Sequence, residues 1–419
     1  MKVIRKYNET SLIIRIVIGL IIGTILGILF KNLPIGILGD LFKGALRSIA
    51  PVLVFVLITN SLASSNTGMD KRFGRVIFLY MISTFLAAVV AVTVSFAFPQ
   101  TLVLTEKAAQ EATAPGGIGE VMTNLLNTIV MNPIEALAKG QYLSILFWSI
   151  LLGLALKSIA AETSKTFLND ISEGISTLVR WIINLAPFGI MGLTYQMVSA
   201  NGLGVFETYG SLLLVLVGSM LMVALVVDPL IAFLFLHRNP YPLVFRCLKE
   251  SGIMAFFTRS SAANIPVNME LCEKLLLDEE MYSVAIPLGS TINMDGAAIT
   301  ITIFTLATCN TVGVRVDFAT ALILSVLATF AACGASGVAG GSLLLIPMAC
   351  SLFGISADVA MQAVGIGFII GVVQDSVETA LNSSGDVMFA ATAEYTQWIK
   401  DGHPEKLPKF LGGQRDTNV

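Results

Sequence analysis

Apolar segments of about 20 residues, the length that a helix needs to cross a bilayer, recur along this 419-residue chain. Hydrophobic residues form 55% of the sequence, charged residues form only 13%, and the mean hydropathy is +0.82. A soluble protein of this length is less apolar. We therefore predict an all-α polytopic membrane protein. The apolar segments of its first half are 12–30, 45–63, 76–98, 121–156, 175–199 and 211–236.

The first of these segments, 12–30, lacks a small-residue cleavage site, so we expect a transmembrane helix there and not a cleavable leader. The segment 121–156 is interrupted at Asn132-Pro133 and again at Lys139-Gly140, which predicts a crossing made of several pieces. The net charge of −3 indicates no nucleic-acid partner. The five cysteines include no CxxC pair, so no metal or redox site is expected at them.

The second half of the chain differs from the first because its apolar segments are interrupted at their centres by small and polar residues. In hydrocarbon, an unpaired backbone group costs several kcal/mol, so such breaks must lie within protein or beside a wet cavity. Paired breaks in two corresponding segments are the best sequence indication of a transporter's binding site. The interruptions fall at residues 258–264, 293–296 and 334–342.

The distribution of lysine and arginine predicts the orientation, since cytoplasmic loops are enriched in both residues. The basic N-terminus, the basic cluster at 71–75 and the basic C-terminal tail all fall on the cytoplasmic side. Eight transmembrane helices plus two re-entrant hairpins of opposite orientation satisfy this rule with both termini inside. Ten full crossings satisfy it too, although the polar centres favour hairpins.

Acidic residues deep in the apolar segments are costly and usually functional. Only one cation, Arg259, lies at comparable depth in this half of the chain, so imported positive charge is expected to neutralise the acids. A set of buried helix caps and ion pairs is the alternative. Several polar residues of the last helix share one face at helical spacing. The residues of that face are Asp375, Glu378, Thr379, Asn382 and Asp386. The fourth deep acid, Asp295, lies on an earlier segment.

Asn293 and Asp295 would point to opposite sides of a continuous helix, but Gly296 permits a break that lets them converge. With Asp386, Asn382 and freed carbonyls they would form a hard-oxygen set for an alkali or alkaline-earth ion. Calcium is not excluded by ligand type, but an ion released in every cycle favours a weaker, monovalent binder.

Ser260 and Ser261 are followed by Pro266, a pattern that predicts a helix N-terminus with free N–H and hydroxyl donors. Such donors suit a substrate carboxylate. An ordinary N-cap is the alternative reading.

The string from Thr258 to Ser261, the Asn-Met-Asp-Gly break at 293–296, the glycine-rich segment 334–342 and the acidic last helix resemble the dicarboxylate/amino acid:cation symporters, the glutamate-transporter family. The resemblance covers nearly the whole chain. Within the family, residues 256–269 are most similar to the bacterial members that carry serine and threonine with sodium. The resemblance implies a homotrimer in a bacterial inner membrane, with a mobile transport domain that moves as an elevator and two hairpins as gates.

The resemblance also implies roles for individual residues. Asp375 would bind the substrate ammonium group, and other residues of the substrate site would be Ser260, Ser261, Gly337, Glu378, Thr379 and Asn382. The sodium ligands would be Asn293, Asp295, Asn382, Asp386, Tyr80, Ser83 and Thr84. The expected regions are the N-terminal helices in 1–75, a transport-domain helix in 76–98, scaffold helices and a sixth helix in 99–236, the core transport region in 237–395 and a cytoplasmic tail in 396–419.

Two positions at which this chain departs from the family pattern indicate which substrate it carries. Members that carry acidic substrates have an arginine where this chain has Glu378 and a threonine where it has Ala297. An ionised Glu378 would repel an acidic side chain, so a small neutral amino acid is expected. Pairing of Glu378 with Arg259 would reduce this repulsion without creating an anion site.

Three other functions remain open from the sequence. Proton coupling would use Glu378 as the carrier, since a buried carboxylate can exchange a proton. An intramembrane hydrolase would use Ser261, but such a nucleophile needs a base, and both His237 and His403 lie in segments expected to be cytoplasmic. A channel is disfavoured because helix breaks with charged ligands are typical of an occluding carrier. We therefore expect a sodium-coupled symporter and no enzyme.

Overall fold

The structure is a computed structural model that describes residues 10, 12–30, 32–64, 71–104, 130–335 and 340–415. Within these ranges the chain is helical and forms no β-strand. The helices of the first half are α1 (Leu12–Leu29), α2 (Gly36–Ser64), α3 (Lys71–Ala97), α4 (Pro133–Lys139), α5 (Tyr142–Ile159), α6 (Glu162–Asn184), α7 (Ala186–Asn201) and α8 (Val205–Leu236).

The second half begins with α9, which runs over 241–258 with a π-helical turn at Leu248–Gly252. Two short 3-10 turns follow the last helix, at Pro404–Lys406 and Lys409–Leu411. The remaining helices are α10 (Ser261–Lys274), α11 (Glu279–Ile292), α12 (Asp295–Val312), α13 (Phe318–Ala332), α14 (Ile346–Ser351, preceded by a 3-10 turn at Ser342–Leu345) and α15 (Ala357–Lys400).

Five helical segments of the described chain are long and apolar enough to cross a membrane. The bent pair α6–α7, with an angle of 52° between its two helices, makes a sixth if it counts as one span. Helices α1, α5 and α13 and the segment Ser342–Ser351 are apolar but shorter. The predicted all-helical membrane protein is therefore confirmed. The five long segments are Gly36–Ser64, Arg72–Ala97, Val205–Leu236, Glu279–Val312 and Ala357–Lys400.

The interrupted crossing predicted after residue 121 is divided at the two expected points, although residues 121–129 lie outside the described part. Asn132 caps α4, because its side-chain oxygen accepts hydrogen bonds from the backbone N–H groups of Ile134 and Glu135. Gly140 ends the helix in the left-handed conformation, at φ 64°. Helix α5 then starts at Tyr142.

Two helices extend beyond their apolar patterns. Helix α3 begins at Lys71, so the expected boundary after residue 75 falls inside it, and α15 continues past residue 395 to Lys400. Arg75 explains part of this extension, because its guanidinium donates to the carbonyl of Ala393 at 3.0 Å and to the amide oxygen of Gln397 at 3.1 Å. The polar first turn of α3 is thus bound to the last turns of α15.

Helix α1 packs closely against α7 through glycines spaced four residues apart. A Cβ atom at Gly19 would lie 2.2 Å from the Pro187 carbonyl oxygen, and one at Gly23 would lie 2.4 Å from that of Met191. Small residues at this spacing are typical of helix pairs in membranes, where close backbone approach supplies the packing energy.

Two apolar cores stack along α15. One contains residues of that helix from Val359 to Ile370 together with Leu381, and the other contains residues from Val387 to Tyr395. Between them lies a polar level in which α3, α8, the α11–α12 junction and α15 each contribute charged or hydroxyl side chains. The residues of this level include Ser83, Thr84, Asp228, Asn293, Asp295, Asp375, Glu378, Asn382 and Asp386.

Candidate substrate and ion site

Asp375 on α15 is bonded from two directions. The guanidinium of Arg259 donates from Nε to Asp375 Oδ2 at 2.7 Å, and the backbone N–H of Gly340 donates to Oδ1 at 3.1 Å. Arg259 stands in the turn between α9 and α10, whereas Gly340 precedes the 3-10 turn before α14. Both helix pairs that were predicted to be hairpins therefore contact the same carboxylate. Gly337 lies outside the described residues.

The backbone of Arg259 is in the left-handed region, at φ 52°. A non-glycine residue adopts this conformation at a cost of about 1 kcal/mol or more, and such strain is common at functional sites. Here it ends α9 and allows the side chain to reach α15, where Arg259 Nη2 also donates to the carbonyl of Gly371 at 3.3 Å.

The two serines after this arginine differ. The Ser260 hydroxyl accepts a hydrogen bond of 3.2 Å from the Ala263 N–H and caps α10, which matches the alternative reading of an ordinary N-cap. Ser261 is the first residue of α10 and is buried. A substrate role for either serine stays a prediction.

Glu378 binds three donors and does not pair with Arg259, which pairs with Asp375. One carboxylate oxygen, Oε2, accepts from the Thr300 hydroxyl at 2.7 Å, from the Ser342 hydroxyl at 2.9 Å and from the amide of Gln374. The suggested Glu378–Arg259 pair is therefore wrong. Sequence spacing could not indicate Thr300 and Ser342, which come from α12 and from the turn before α14, whereas Gln374 lies four residues before Glu378 on α15.

Gly296 allows α12 to approach Glu378. A Cβ atom at this glycine would lie 2.8 Å from Cα and 2.9 Å from Cγ of Glu378. The predicted helix break is present, since α11 ends at Ile292 and α12 begins at Asp295. Gly296 itself lies within α12, so its small size matters for packing against α15 more than for the break.

Asn293 and Asp386 form the first of two neighbouring polar groups. Asn293 Nδ2 donates to Asp386 Oδ1 at 3.1 Å and to the Asn382 carbonyl at 3.0 Å, and the Tyr80 hydroxyl donates to the Asp386 carbonyl at 3.0 Å. A Cβ atom at Gly289 would lie 2.8 Å from Asp386 Oδ1, so the group is tightly enclosed.

Asp295 forms the second group. Thr84 donates to Asp295 Oδ1 at 2.8 Å, and the Ser83 hydroxyl lies 2.6 Å from Oδ2. The Met294 N–H donates to the Thr84 hydroxyl at 3.2 Å, which joins this group to the helix break. Asn293 therefore bonds α15 while Asp295 bonds α3, and their joint ligation of one ion stays a prediction.

Asn382 and Thr379 have structural partners on the described chain. Asn382 Oδ1 accepts a hydrogen bond of 2.8 Å from the Gly296 N–H at the start of α12. The Thr379 hydroxyl donates to the Asp375 carbonyl one turn before it, at 2.7 Å. The predicted roles of both side chains in ligand binding are not tested by these contacts.

Asn293 Oδ1 and Asp386 Oδ2 are among the buried oxygens that have no hydrogen-bond partner among the described residues. An unpaired oxygen in an apolar interior is costly, and each is an oxygen of the type that binds an alkali ion. Among the described residues, Arg259 is the one buried cation at this level. It is already paired with Asp375. The remaining carboxylates suit a bound cation.

The sequence analysis missed Asp228, which is 2% exposed on α8. Its carboxylate oxygen Oδ1 lies 2.9 Å from the Ser83 hydroxyl, the same hydroxyl that contacts Asp295. The signal was available, because Asp228 is the single acid of the long apolar segment from Leu212 to Leu236. Such a residue is functional by default.

A buried amide network was also missed. Asn264 Nδ2 donates to the Ser383 hydroxyl at 2.8 Å, and Asn268 Nδ2 donates to the Ser383 carbonyl at 3.1 Å. Asn264 further contacts the carbonyl and hydroxyl of Ser251. These neutral hydrogen bonds connect α9 and α10 to α15 beside the site, in addition to the ion pair between Arg259 and Asp375.

The chain belongs to the sodium:dicarboxylate symporter family, whose model matches residues 12–396. This is the family that the motifs around Arg259 and Asp295 resemble. Its members are transporters, and this chain is therefore a multi-pass membrane transporter and not an enzyme.

Relatives with assigned names match over nearly their full lengths. The serine/threonine transporter SstT of Bifidobacterium adolescentis is 60% identical over 98% of this chain and 95% of its own. The protein of the same name from Streptococcus thermophilus is 56% identical over 95% of this chain and 99% of its own. That of Streptococcus agalactiae is 57% identical over 93% and 97% of the two chains, respectively.

Proposed function

We propose that this protein imports serine and threonine into a bacterial cell by sodium-coupled symport. The observation that carries the proposal is the position of Asp375, a buried carboxylate that is contacted by both helix pairs and paired with one cation, Arg259. An amino-acid ammonium group is a cation of suitable size to replace the guanidinium. The names of the relatives support serine and threonine as the substrates.

Replacement of Arg259 by the substrate gives a reason for the gating of the site. In the absence of substrate, the arginine satisfies Asp375, which would otherwise be a costly unpaired charge. When the ammonium group binds, Arg259 is released and the turn between α9 and α10 changes its contacts. The Gly340 N–H would remain on the carboxylate and close the site from the other pair.

Glu378 supports a neutral substrate. It lies one turn after Asp375 on α15, and its three donors hold it in a fixed position. With Glu378 ionised, a second carboxylate brought by aspartate or glutamate would meet a negative charge in a poorly hydrated pocket, where repulsion at about 4 Å can reach a few kcal/mol. The hydroxyl groups of serine and threonine carry no such penalty.

Sodium coupling is supported by the two polar groups around Asp386 and Asp295, which offer carboxylate, amide and hydroxyl oxygens of the kind that binds alkali ions. Binding of a monovalent cation would neutralise carboxylates that have no paired cation of their own. The family description, sodium:dicarboxylate symporter, is consistent with this ion.

We further propose eight transmembrane helices, two re-entrant hairpins formed by α9–α10 and α13–α14, both termini in the cytoplasm, and an elevator movement within a homotrimer. The short lengths of α13 and of Ser342–Ser351 support the second hairpin. Labelling of single cysteines at His403 and Arg315 from each side of sealed membranes tests the orientation, and mass photometry of the purified protein tests the trimer.

Uptake of radiolabelled serine into proteoliposomes containing the purified protein tests the function. An inward sodium gradient should drive accumulation, whereas an equal potassium gradient should not. Asp375→Asn is the inactive control. Accumulation driven by a proton gradient without sodium would instead support the proton-coupled alternative, and sodium-driven uptake that excess threonine does not reduce would contradict the proposed substrate range.

A further inference from the structure

Asp228 lies at the same level of the protein as the candidate sodium ligands. On α8, the residues up to Ala224 belong to the first apolar core and those from Ile231 belong to the second, so Asp228 falls between the two cores. The same is true of Ser83 and Thr84 on α3, which follow Tyr80 of the second core and precede Ala87 of the first. The chain thus has a carboxylate from α8 within the polar level.

The backbone of α8 is rearranged next to this residue. Pro229 has no N–H group to donate to the carbonyl of Leu225, and a π-helical turn occupies Val223–Val227. The Asp228 N–H bonds the Val223 carbonyl, five residues earlier, and the freed Leu225 carbonyl accepts from the Tyr241 hydroxyl at 3.1 Å. A π-turn rotates the residues that follow it, and such turns are frequent at functional sites.

The Ser83 hydroxyl lies between two carboxylates, 2.9 Å from Asp228 Oδ1 and 2.6 Å from Asp295 Oδ2. A serine hydroxyl has one hydrogen, so it can donate to only one of them. With both acids ionised, the other contact brings together two oxygens with lone pairs. A bound cation stabilises such an arrangement, because it is attracted to all three oxygens.

Independent support comes from the neighbouring residues of the polar level. The buried Asn293 Oδ1 and Asp386 Oδ2 have no partner among the described residues. Asn293 is two positions from Asp295, and the Met294 N–H between them bonds the hydroxyl of Thr84. Unsatisfied oxygens and two carboxylates without a cation therefore occur in one continuous region.

We propose that Asp228 is an additional acidic residue of the sodium site at Asp295, and that its negative charge increases the affinity of that site for sodium. This inference rests on the proposed sodium coupling and adds a carboxylate from α8 to it. The Ser83 hydroxyl connects the two acids, and the π-turn before Pro229 positions the side chain.

Asp228→Asn tests the charge with little change of shape, because the asparagine Oδ1 can still accept a hydrogen bond from Ser83. We expect the sodium concentration for half-maximal serine uptake to rise by about tenfold or more, with uptake at saturating sodium retained. Asp228→Glu, which keeps the charge, should restore most of the sodium affinity. Glu207→Gln removes an exposed acid of the same helix and should change nothing.

The sodium-dependent rise in melting temperature of the purified full-length protein provides a second measurement. It should shift to higher sodium concentrations in Asp228→Asn, and saturating sodium should restore stability by mass action. An unchanged sodium dependence in this variant, or a variant that unfolds even in saturating sodium, overturns the inference. If the wild-type protein shows no sodium dependence at all, the proposed sodium coupling itself fails, which is a different result.

Discussion

Arg259 and Asp375 form a buried ion pair in which Nε lies 2.7 Å from Oδ2 across 116 positions of sequence. The pair joins the turn between α9 and α10 to the middle of α15. Arg259 is the one buried cation at this level of the described chain, so Asp375 would bind another cation only where this pair opens. The first two predictions follow from this pair.

Asp375→Asn should abolish serine binding, because it removes the carboxylate assigned to the ammonium group. A charged hydrogen bond lost in a buried site typically costs about 3–5 kcal/mol, so we expect affinity to fall by at least about 100-fold. Binding of radiolabelled serine to purified protein measures this. Asp358→Asn, an exposed acid that pairs with Arg47, is the matched control. Near-normal serine uptake by Asp375→Asn would contradict the assignment of Asp375 to the substrate ammonium group.

Arg259→Gln should lower the melting temperature without substrate, because Asp375 loses its cation and keeps only the Gly340 N–H. Serine should then raise the melting temperature more in the variant than in the wild-type protein, since its ammonium group supplies the missing charge. Arg246→Gln, which removes a partly exposed pair with Glu250, is the control. An equal serine effect in the variant and the wild-type protein would contradict replacement of Arg259 by substrate.

Asp386→Asn should raise the sodium concentration needed for half-maximal uptake, because Asp386 Oδ2 is a buried oxygen without a partner on the described chain. The asparagine retains the size of the side chain and the Asn293 contact can rearrange. Uptake at a series of sodium concentrations measures the effect, with the exposed Asp401→Asn as control. An unaltered sodium dependence would mean that the carboxylate is structural.

Gly296→Ala should inactivate the protein or destabilise it by about 1–3 kcal/mol, since the new Cβ would lie 2.8 Å from Cα of Glu378 and force α12 away from α15. Gly218→Ala introduces the same methyl group where nothing lies within 4 Å, and should be neutral or slightly stabilising. Melting temperature and serine uptake of the two variants provide the comparison. Equal behaviour would show that α12 and α15 tolerate separation.

Excess aspartate should not block serine uptake by the wild-type protein, because an ionised Glu378 would repel a second carboxylate. Glu378→Gln keeps the donors Thr300 and Ser342 within reach but removes the charge, so aspartate should compete more strongly than in the wild type. Glu378→Arg combined with Ala297→Thr should weaken serine transport further and admit aspartate. Inhibition of wild-type uptake by aspartate would refute the neutral-substrate proposal.

Much of the architecture could be predicted from local sequence. Membrane spans follow from the length of apolar segments, and the helix breaks at 258–264 and 293–296 follow from polar residues that hydrocarbon does not tolerate. The face shared by Asp375 and Asp386 follows from helical periodicity. These three predictions depend on interactions between residues near in sequence, or between one segment and its solvent. None of them requires knowledge of a distant partner.

The pairing of the charged side chains depended on the tertiary structure. The sequence suggested a pair between Arg259 and Glu378, whereas in the folded chain the guanidinium, carried by a left-handed turn, reaches Asp375 one turn earlier on α15. Ser83 meets Asp228 across 145 positions and Asp295 across 212, contacts that depend on how α3, α8 and α12 pack. Hydropathy therefore determined which segments enter the membrane and which acids are buried, whereas helix packing decided which of those acids share a hydroxyl, an arginine or a cation, because these energies arise only when distant segments come into contact.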